Sequence, residues 1–280
     1  MPQLDRRSFL RAGATALALP VLARADEKKA ADGFRLGAQS YTFRNFKLEQ
    51  ALARMKKVGL RYGEFYPGHC PMTDKPEQVR AFLSLCKEYD VTPWAWGVQA
   101  FTKNHDANKR VFEFGKALGL KMFSADPTPD AFDSLDKLCD EFKIAIGIHP
   151  HGPVGRGMHR WYSAEVILAA VKGHHELIGA CLDTGHLVRA AQLGKKLDPA
   201  QQVRLMGKRN FGLHLKDHDN ERKHDVVIGK GALDVPALVK ALREVKFPGM
   251  ISIEYEHNAS EPTRDVAACV EVFRAAEKGG

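Results

Sequence analysis

The chain has 280 residues, of which 44% are hydrophobic and 27% charged, and a formal net charge of +8. This length and balance fit one globular domain with a single sizeable core, and α/β barrels commonly reach this length undivided. The basic residues are scattered over amphipathic stretches without interleaved aromatic residues, which argues against nucleic-acid binding, and the five dispersed cysteines form no CxxC pair, which argues against a disulfide scaffold.

The first 25 residues resemble a twin-arginine export signal. Arg6 and Arg7 precede an apolar stretch from Ala12 to Leu22, and a small-x-small cleavage site follows at residues 23–25. The apolar stretch is about half the roughly 20 residues needed to span a bilayer, so we expect no stable membrane span. We therefore predict that the twin-arginine translocation machinery exports the chain, and that a mature domain of residues 26–280 is periplasmic or secreted.

After this leader, short apolar segments alternate with amphipathic segments of helical period. The apolar segments are typical of buried parallel strands. The predicted strands are residues 34–39, 62–66, 91–98, 121–125, 143–149, 178–183, 211–215 and 250–254. The predicted helices are residues 48–58, 76–89, 108–118, 129–142, 163–171, 198–206, 236–245 and 262–276. Eight strand–helix units in strict alternation predict an α/β fold consisting of a single closed (β/α)8 TIM barrel.

Four of the predicted strands end in a possible metal ligand: His149, Asp183, His214 and Glu254. Because the carboxyl ends of the strands meet at one face of a parallel barrel, we expect these side chains to converge. Two imidazoles and two carboxylates suit one Mn²⁺, Zn²⁺, Co²⁺, Fe²⁺ or Ni²⁺ ion better than Ca²⁺ or an all-oxygen Mg²⁺ site. The alternative for each residue taken singly is a hydrogen-bonded anchor of its loop.

Further polar residues accompany these strand ends. Side chains two apart on a strand point the same way, so His151, Lys216 and Glu256 are expected beside the ligands that precede them. His186 follows Asp183 around a Thr-Gly turn. These residues are candidates for contacts with a bound molecule.

Four motifs in the second half of the chain carry a resemblance to a known family. They are Cys181-Leu-Asp-Thr-Gly-His186, His214-Leu-Lys-Asp217, Gly229-Lys-Gly-Ala-Leu-Asp234 and Gly249-Met-Ile-Ser-Ile-Glu254-Tyr-Glu256. In this order they resemble the xylose isomerase-like TIM-barrel superfamily and, more narrowly, its sugar (phosphate) isomerase/epimerase members. The resemblance covers roughly residues 34 to 278.

The resemblance implies metal ligands at the ends of strands five to eight, in the order Glu, Asp, His and Glu. Asp183, His214 and Glu254 match this pattern, but the first glutamate falls where this chain has His149 and His151. In the mechanism that the family implies, one ligand glutamate removes a carbon-bound proton and the opposite glutamate returns it. His149 would keep a ligand in place but remove one of the two carboxylate bases.

The function that follows is a divalent-metal-dependent sugar isomerase or epimerase, which moves a proton through an enediolate on a small keto- or aldo-sugar. Two alternatives remain. The first is a metal-dependent keto-sugar or inosose-type dehydratase or lyase, because an elimination needs only one base and one acid. The second is a sugar-binding barrel without catalytic activity.

Roles for the remaining residues follow from the resemblance and from their positions on the predicted strands. Glu254, Lys216 and His186 are the predicted catalytic residues: Glu254 as the base, Lys216 as a cation beside an enediolate oxygen, and His186 as a partner of substrate hydroxyls. A plain surface lysine is the alternative for Lys216. The predicted substrate-binding residues are Glu64, His151, Trp96 and Glu256. Trp96 is expected to supply an apolar wall for a sugar ring, with core packing as its alternative.

Overall fold

The computed structural model describes residues 33–279, and its eight long strands form a closed parallel barrel. The strands are β1 (Arg35–Gln39), β2 (Tyr62–Phe65), β3 (Thr92–Phe101), β4 (Met122–Pro127), β5 (Ala145–Ile148), β6 (Ile178–Asp183), β7 (Asn210–Leu215) and β8 (Met250–Ile253). The barrel closes because β1 pairs in parallel with both β2 and β8. The predicted (β/α)8 barrel is therefore confirmed.

Helices alternate with the strands along the chain. They are α1 (Leu48–Lys57), α2 (Pro76–Glu88), α3 (His105–Leu118), α4 (Phe132–Phe142), α5 (Ala164–Ala170), α6 (Thr184–Arg189), α7 (Pro199–Met206), α8 (Val235–Glu244) and α9 (Thr263–Gly279). Most of their ends lie within a few residues of the predicted ones. The start of α3 lies three residues earlier than predicted, because the side chain of Asn104 accepts a hydrogen bond from the backbone N–H of Ala107 and caps the helix there.

The sequence pattern did not predict three elements that surround the carboxyl ends of the strands. One is α6, a single short helix that begins directly after β6. The others are two small antiparallel hairpins, Pro153–Val154 with Gly157–Met158 after β5, and Asp217–Asp219 with His224–Val226 after β7. Strands of two or three residues are too short to show a periodic pattern. These elements nevertheless form part of the surroundings of the site.

Trp96 belongs to the core between the barrel and its helices. Its side chain is only 2% exposed, and its ring packs edge-on against Phe114 of α3 and Phe123 of β4. Its indole N–H donates to the backbone oxygen of Cys70 at 2.8 Å. The prediction that Trp96 binds a sugar ring is therefore wrong, because this residue points outward from the barrel, under the helices, and satisfies its polar atom there.

The predicted export signal at residues 1–25 lies outside the described residues. Within residues 33–279, no helix is both long enough and apolar enough to cross a membrane.

Candidate metal centre

The ends of β5, β6, β7 and β8 bring His149, Asp183, His214 and Glu254 together. Each residue offers one ligand atom, and these four atoms all lie within 4.8 Å of one another. His149 Nε2 lies 3.1 Å from His214 Nδ1 and 3.3 Å from Asp183 Oδ2. Glu254 Oε2 lies 3.1 Å from His214 Nδ1. The four side chains predicted as ligands therefore face one point.

The chemistry of these four residues fits a divalent cation. Asp183 is fully buried, and its Oδ2 atom makes no hydrogen bond, although His149 Nε2 lies 3.3 Å and Lys216 Nζ 3.4 Å away. A buried carboxylate oxygen without a hydrogen bond is costly. A cation bound between two imidazole nitrogens and two carboxylate oxygens would satisfy it, and this donor set suits Zn²⁺, Mn²⁺, Co²⁺, Fe²⁺ or Ni²⁺.

Each residue of the Asp183-Thr-Gly-His186 turn has a structural role. Asp183 Oδ1 accepts the backbone N–H of His186 at 2.8 Å and so caps α6. Thr184 Oγ1 accepts the N–H of Lys216 at 2.9 Å and donates to its carbonyl oxygen at 2.6 Å. A Cβ atom on Gly185 would lie 2.5 Å from Lys216 Cγ. Thr184 and Gly185 have no role that the sequence pattern indicates, yet both of them position Lys216.

Lys216 is buried among three carboxylates. Its side chain is 1% exposed, and Nζ lies 2.9 Å from Glu254 Oε2 and 2.5 Å from Glu256 Oε1, in addition to its approach to Asp183. The alternative that Lys216 is a plain surface lysine is therefore excluded. A buried ammonium in contact with two of the four possible ligands influences the charge and the orientation of both.

The charges at this centre support one another. Burial disfavours the ionised carboxyl groups of Asp183 and Glu254, but the Lys216 ammonium and the neighbouring histidines hold the pKa of both well below its usual range. Burial likewise opposes the charge on Lys216, but the carboxylates raise its pKa well above the ordinary value. For His186, burial and then the charge of Lys216 hold the pKa well below its ordinary value. For His214, burial opposes the charged form, but neighbouring groups, among them Glu64 and Glu254, raise the pKa well above its ordinary value. Without a metal the centre thus combines two carboxylates with two cations, Lys216 and His214, beside a neutral His186.

A cavity of about 660 Å³ opens at this centre. Its polar lining includes His149, His151, His186, Glu254 and Glu256. The rings of His151 and His186 lie face to face at an angle of 32°, with their centroids 3.8 Å apart. Tyr41, Tyr66 and Val98 supply apolar lining. A space of this size, with a few polar groups and some apolar wall, is typical of a small-molecule site.

The cavity contains most of the residues predicted to contact a substrate, but Glu64 is an exception. His151, His186, Glu254 and Glu256 line the cavity, whereas Lys216 reaches it only through its contacts with Glu254 and Glu256. Glu64 is fully buried and lies beneath His214, within the barrel. The prediction that Glu64 faces the mouth and binds substrate is therefore wrong, because its side chain is enclosed by polar groups of the barrel interior.

Comparisons with known proteins relate the chain to one family. A sequence model of the xylose isomerase-like TIM barrel family matches residues 52–276. No curated protein sequence matches the chain.

Several solved structures share the architecture. An uncharacterized protein from Parabacteroides distasonis ATCC 8503 is 25% identical, with a TM-score of 0.67 over 86% of this chain and 98% of that one. A D-tagatose 3-epimerase-like protein is 16% identical, with a TM-score of 0.69 over 88% and 97%. A D-allulose 3-epimerase from Methylomonas sp. is also 16% identical, with a TM-score of 0.65 over 88% and 98%. At 16% identity, the last two similarities show the fold alone.

Proposed function

The chain belongs to the xylose isomerase-like TIM barrel family, and we propose that it is a divalent-metal-dependent sugar isomerase or epimerase that moves a proton at the carbon next to a carbonyl group. The observation that carries this proposal is the convergence of His149, Asp183, His214 and Glu254 at the base of one cavity. The epimerases among the solved structures of the same fold support it.

These four residues would hold one ion of Mn²⁺, Zn²⁺, Co²⁺, Fe²⁺ or Ni²⁺. When bound, the ion supplies a Lewis acid for the carbonyl and neighbouring hydroxyl oxygens of a keto- or aldo-sugar. The choice of ion is left open by a donor set of two nitrogens and two oxygens.

Glu254 is the residue best placed to accept the proton. Its carboxylate is ionised, lines the cavity and is 8% exposed, so a substrate carbon can reach it while bulk water is largely kept away. Lys216 Nζ, at 2.9 Å from Glu254 Oε2, fixes the orientation of that carboxylate. The same ammonium lowers the cost of negative charge that develops on a substrate oxygen nearby.

His151 and His186, which line the cavity, supply hydrogen-bonding groups for sugar hydroxyls. Arg189 donates to His186 Nδ1 at 3.2 Å, so the neutral imidazole carries its hydrogen on Nε2 and can donate it to a hydroxyl. His151 and Glu256 add further polar groups to the same lining. Together they would orient a polyhydroxylated substrate above Glu254.

A dehydratase or lyase acting on a keto-sugar is the second candidate, and one observation favours it. Of the four predicted ligands, Glu254 is the only carboxylate that lines the cavity, and its cavity-lining neighbour from β5 is His149. An isomerase with one carboxylate base must use Glu254 for both removal and return of the proton. An elimination needs Glu254 only as the base, together with one separate acid that protonates the leaving hydroxyl.

Deuterium incorporation tests the proposed function. We expect metal-loaded protein, incubated in D₂O with a panel of keto- and aldo-sugars, to produce an isomerised or epimerised sugar that carries deuterium at the carbon next to the carbonyl. The products are followed by NMR, with protein stripped of metal by a chelator as the control. A product that has lost water would favour the lyase. If no sugar in the panel is converted and none takes up deuterium, both enzyme candidates are refuted and a sugar-binding barrel is favoured.

A further inference from the structure

A buried carboxylate lies behind one of the proposed ligands. Glu64, at the end of β2, is 0% exposed, and both of its oxygens lie 2.9 Å from His214 Nε2. The other ring nitrogen of His214, Nδ1, lies 3.1 Å from His149 Nε2 and 3.1 Å from Glu254 Oε2. The His214 ring therefore stands between Glu64 on one side and the proposed metal position on the other.

Three further donors hold the Glu64 carboxylate in place. Ser124 Oγ donates to Oε1 at 2.5 Å, Gln39 Nε2 donates to Oε1 at 2.9 Å, and Ser252 Oγ donates to Oε2 at 3.1 Å. They come from β4, β1 and β8. With Glu64 itself on β2 and His214 on β7, side chains of five strands meet at this carboxylate. A buried carboxylate is tolerable when charge-assisted hydrogen bonds satisfy it, and this one is fixed from several directions.

This arrangement determines which nitrogen of His214 is available to a metal. An ionised carboxylate only accepts hydrogen bonds, so the hydrogen between Glu64 and His214 must lie on Nε2. Nδ1 faces the carboxylate of Glu254, which also only accepts, so without a metal this nitrogen carries a hydrogen as well. A metal that replaced the Nδ1 hydrogen would bind the lone pair there, while Glu64 keeps the hydrogen on Nε2. A carboxylate placed in this way behind a metal-ligating histidine fixes both the tautomer and the orientation of the ring.

We propose that Glu64 is a positioning residue of the metal centre, which acts through His214 and not on the substrate. The proposal rests on the proposed metal-dependent function. Loss of such a carboxylate partner typically lowers metal affinity about 10- to 100-fold. We expect a loss in this range for Glu64→Gln, which keeps the size of the side chain and removes its charge.

Titration of the metal-free protein with Co²⁺ tests this role without a sugar substrate. The affinity is measured by calorimetry, and the visible absorption of bound Co²⁺ reports its ligand environment. Glu64→Gln should weaken binding and alter the spectrum. Glu277→Gln is the matched control, because Glu277 is also a mostly buried carboxylate, which accepts hydrogen bonds from Phe34 and Arg274 and contacts none of the proposed ligands. It should leave both readings unchanged.

A milder variant covers the case in which Glu64→Gln does not fold. Ser252→Ala removes a single donor to Glu64 and should weaken Co²⁺ binding in the same direction by a smaller factor. Unchanged Co²⁺ affinity and spectrum in Glu64→Gln would overturn the proposal while leaving the metal centre intact. If Glu64→Gln does not fold, the same unchanged readings in Ser252→Ala would overturn it. An equal loss in Glu277→Gln would also overturn it, as a general structural effect. A wild-type protein that binds no Co²⁺ would overturn both the centre and the role of Glu64.

Discussion

Glu254→Gln is expected to lower the kcat for sugar conversion by about 10²- to 10⁴-fold, because a glutamine amide cannot accept the proton from the substrate carbon. Glu254 lines the cavity and lies 2.9 Å from Lys216 Nζ. That ammonium and His214 hold its pKa below the usual range in spite of burial, which keeps the carboxylate ionised and able to accept a proton. Steady-state kinetics on the substrate identified by deuterium incorporation provide the measurement, at a metal concentration that saturates each variant.

Glu256→Gln is the matched control for this variant. Glu256 lies two residues after Glu254, and it also lines the cavity and contacts Lys216. It is not one of the four proposed ligands. We expect a smaller effect that is expressed mainly in KM, as for a group that binds the ground state and the transition state alike. A Glu254→Gln enzyme whose kcat stays within about tenfold of the wild-type value would remove Glu254 from the role of base.

Lys216→Met is expected to reduce the free energy of unfolding of the metal-free protein by about 3–5 kcal/mol. The reason is that Asp183 and Glu254 would remain buried as carboxylates without their shared counter-charge, and removal of one partner from a buried ion cluster is strongly destabilising. A divalent ion should restore part of the loss, because it binds the folded centre and supplies positive charge there. Urea unfolding with and without Mn²⁺ measures both effects.

The control for Lys216→Met is a lysine in an exposed ion pair. Lys109 Nζ lies 3.3 Å from Glu141 Oε1, and the two side chains are 40% and 52% exposed. Lys109→Met should change stability little, because water already screens this pair. If Lys216→Met is as stable as the wild type without metal, the buried charge cluster does not stabilise the metal-free fold.

The fold was predictable because alternation of strands and helices is a local pattern. The positions of His149, Asp183, His214 and Glu254 followed from it, since strand ends of a parallel barrel must meet at one face. The burial of Lys216 could not be predicted in this way. It depends on hydrogen bonds from Thr184 and on the space beside Gly185, residues about 30 positions earlier in the chain.

The two incorrect site predictions have a common physical cause. Alternation along a strand tells which side chains share a face, but not how deep each one lies in a staggered barrel or where the pairing shifts. The register between β2 and β3 shifts between Gly63 and Glu64, and that between β3 and β4 shifts between Trp96 and Gln99. Glu64 faces the barrel interior but lies below the ligands, and Trp96 faces the helices, and alternation alone predicts neither position.

The metal content of the protein, purified without a chelator, tests the central claim most directly. We predict about one divalent ion per chain by elemental analysis, as expected for a single four-ligand centre. We also predict a large loss of metal in His149→Ala. The control His105→Ala should lose none, because the His105 ring is hydrogen-bonded to Ser134 in the outer layer of helices. A wild-type protein without a stoichiometric divalent ion would contradict a metal-dependent enzyme at this site, and an unchanged metal content in His149→Ala would remove His149 from the ligands.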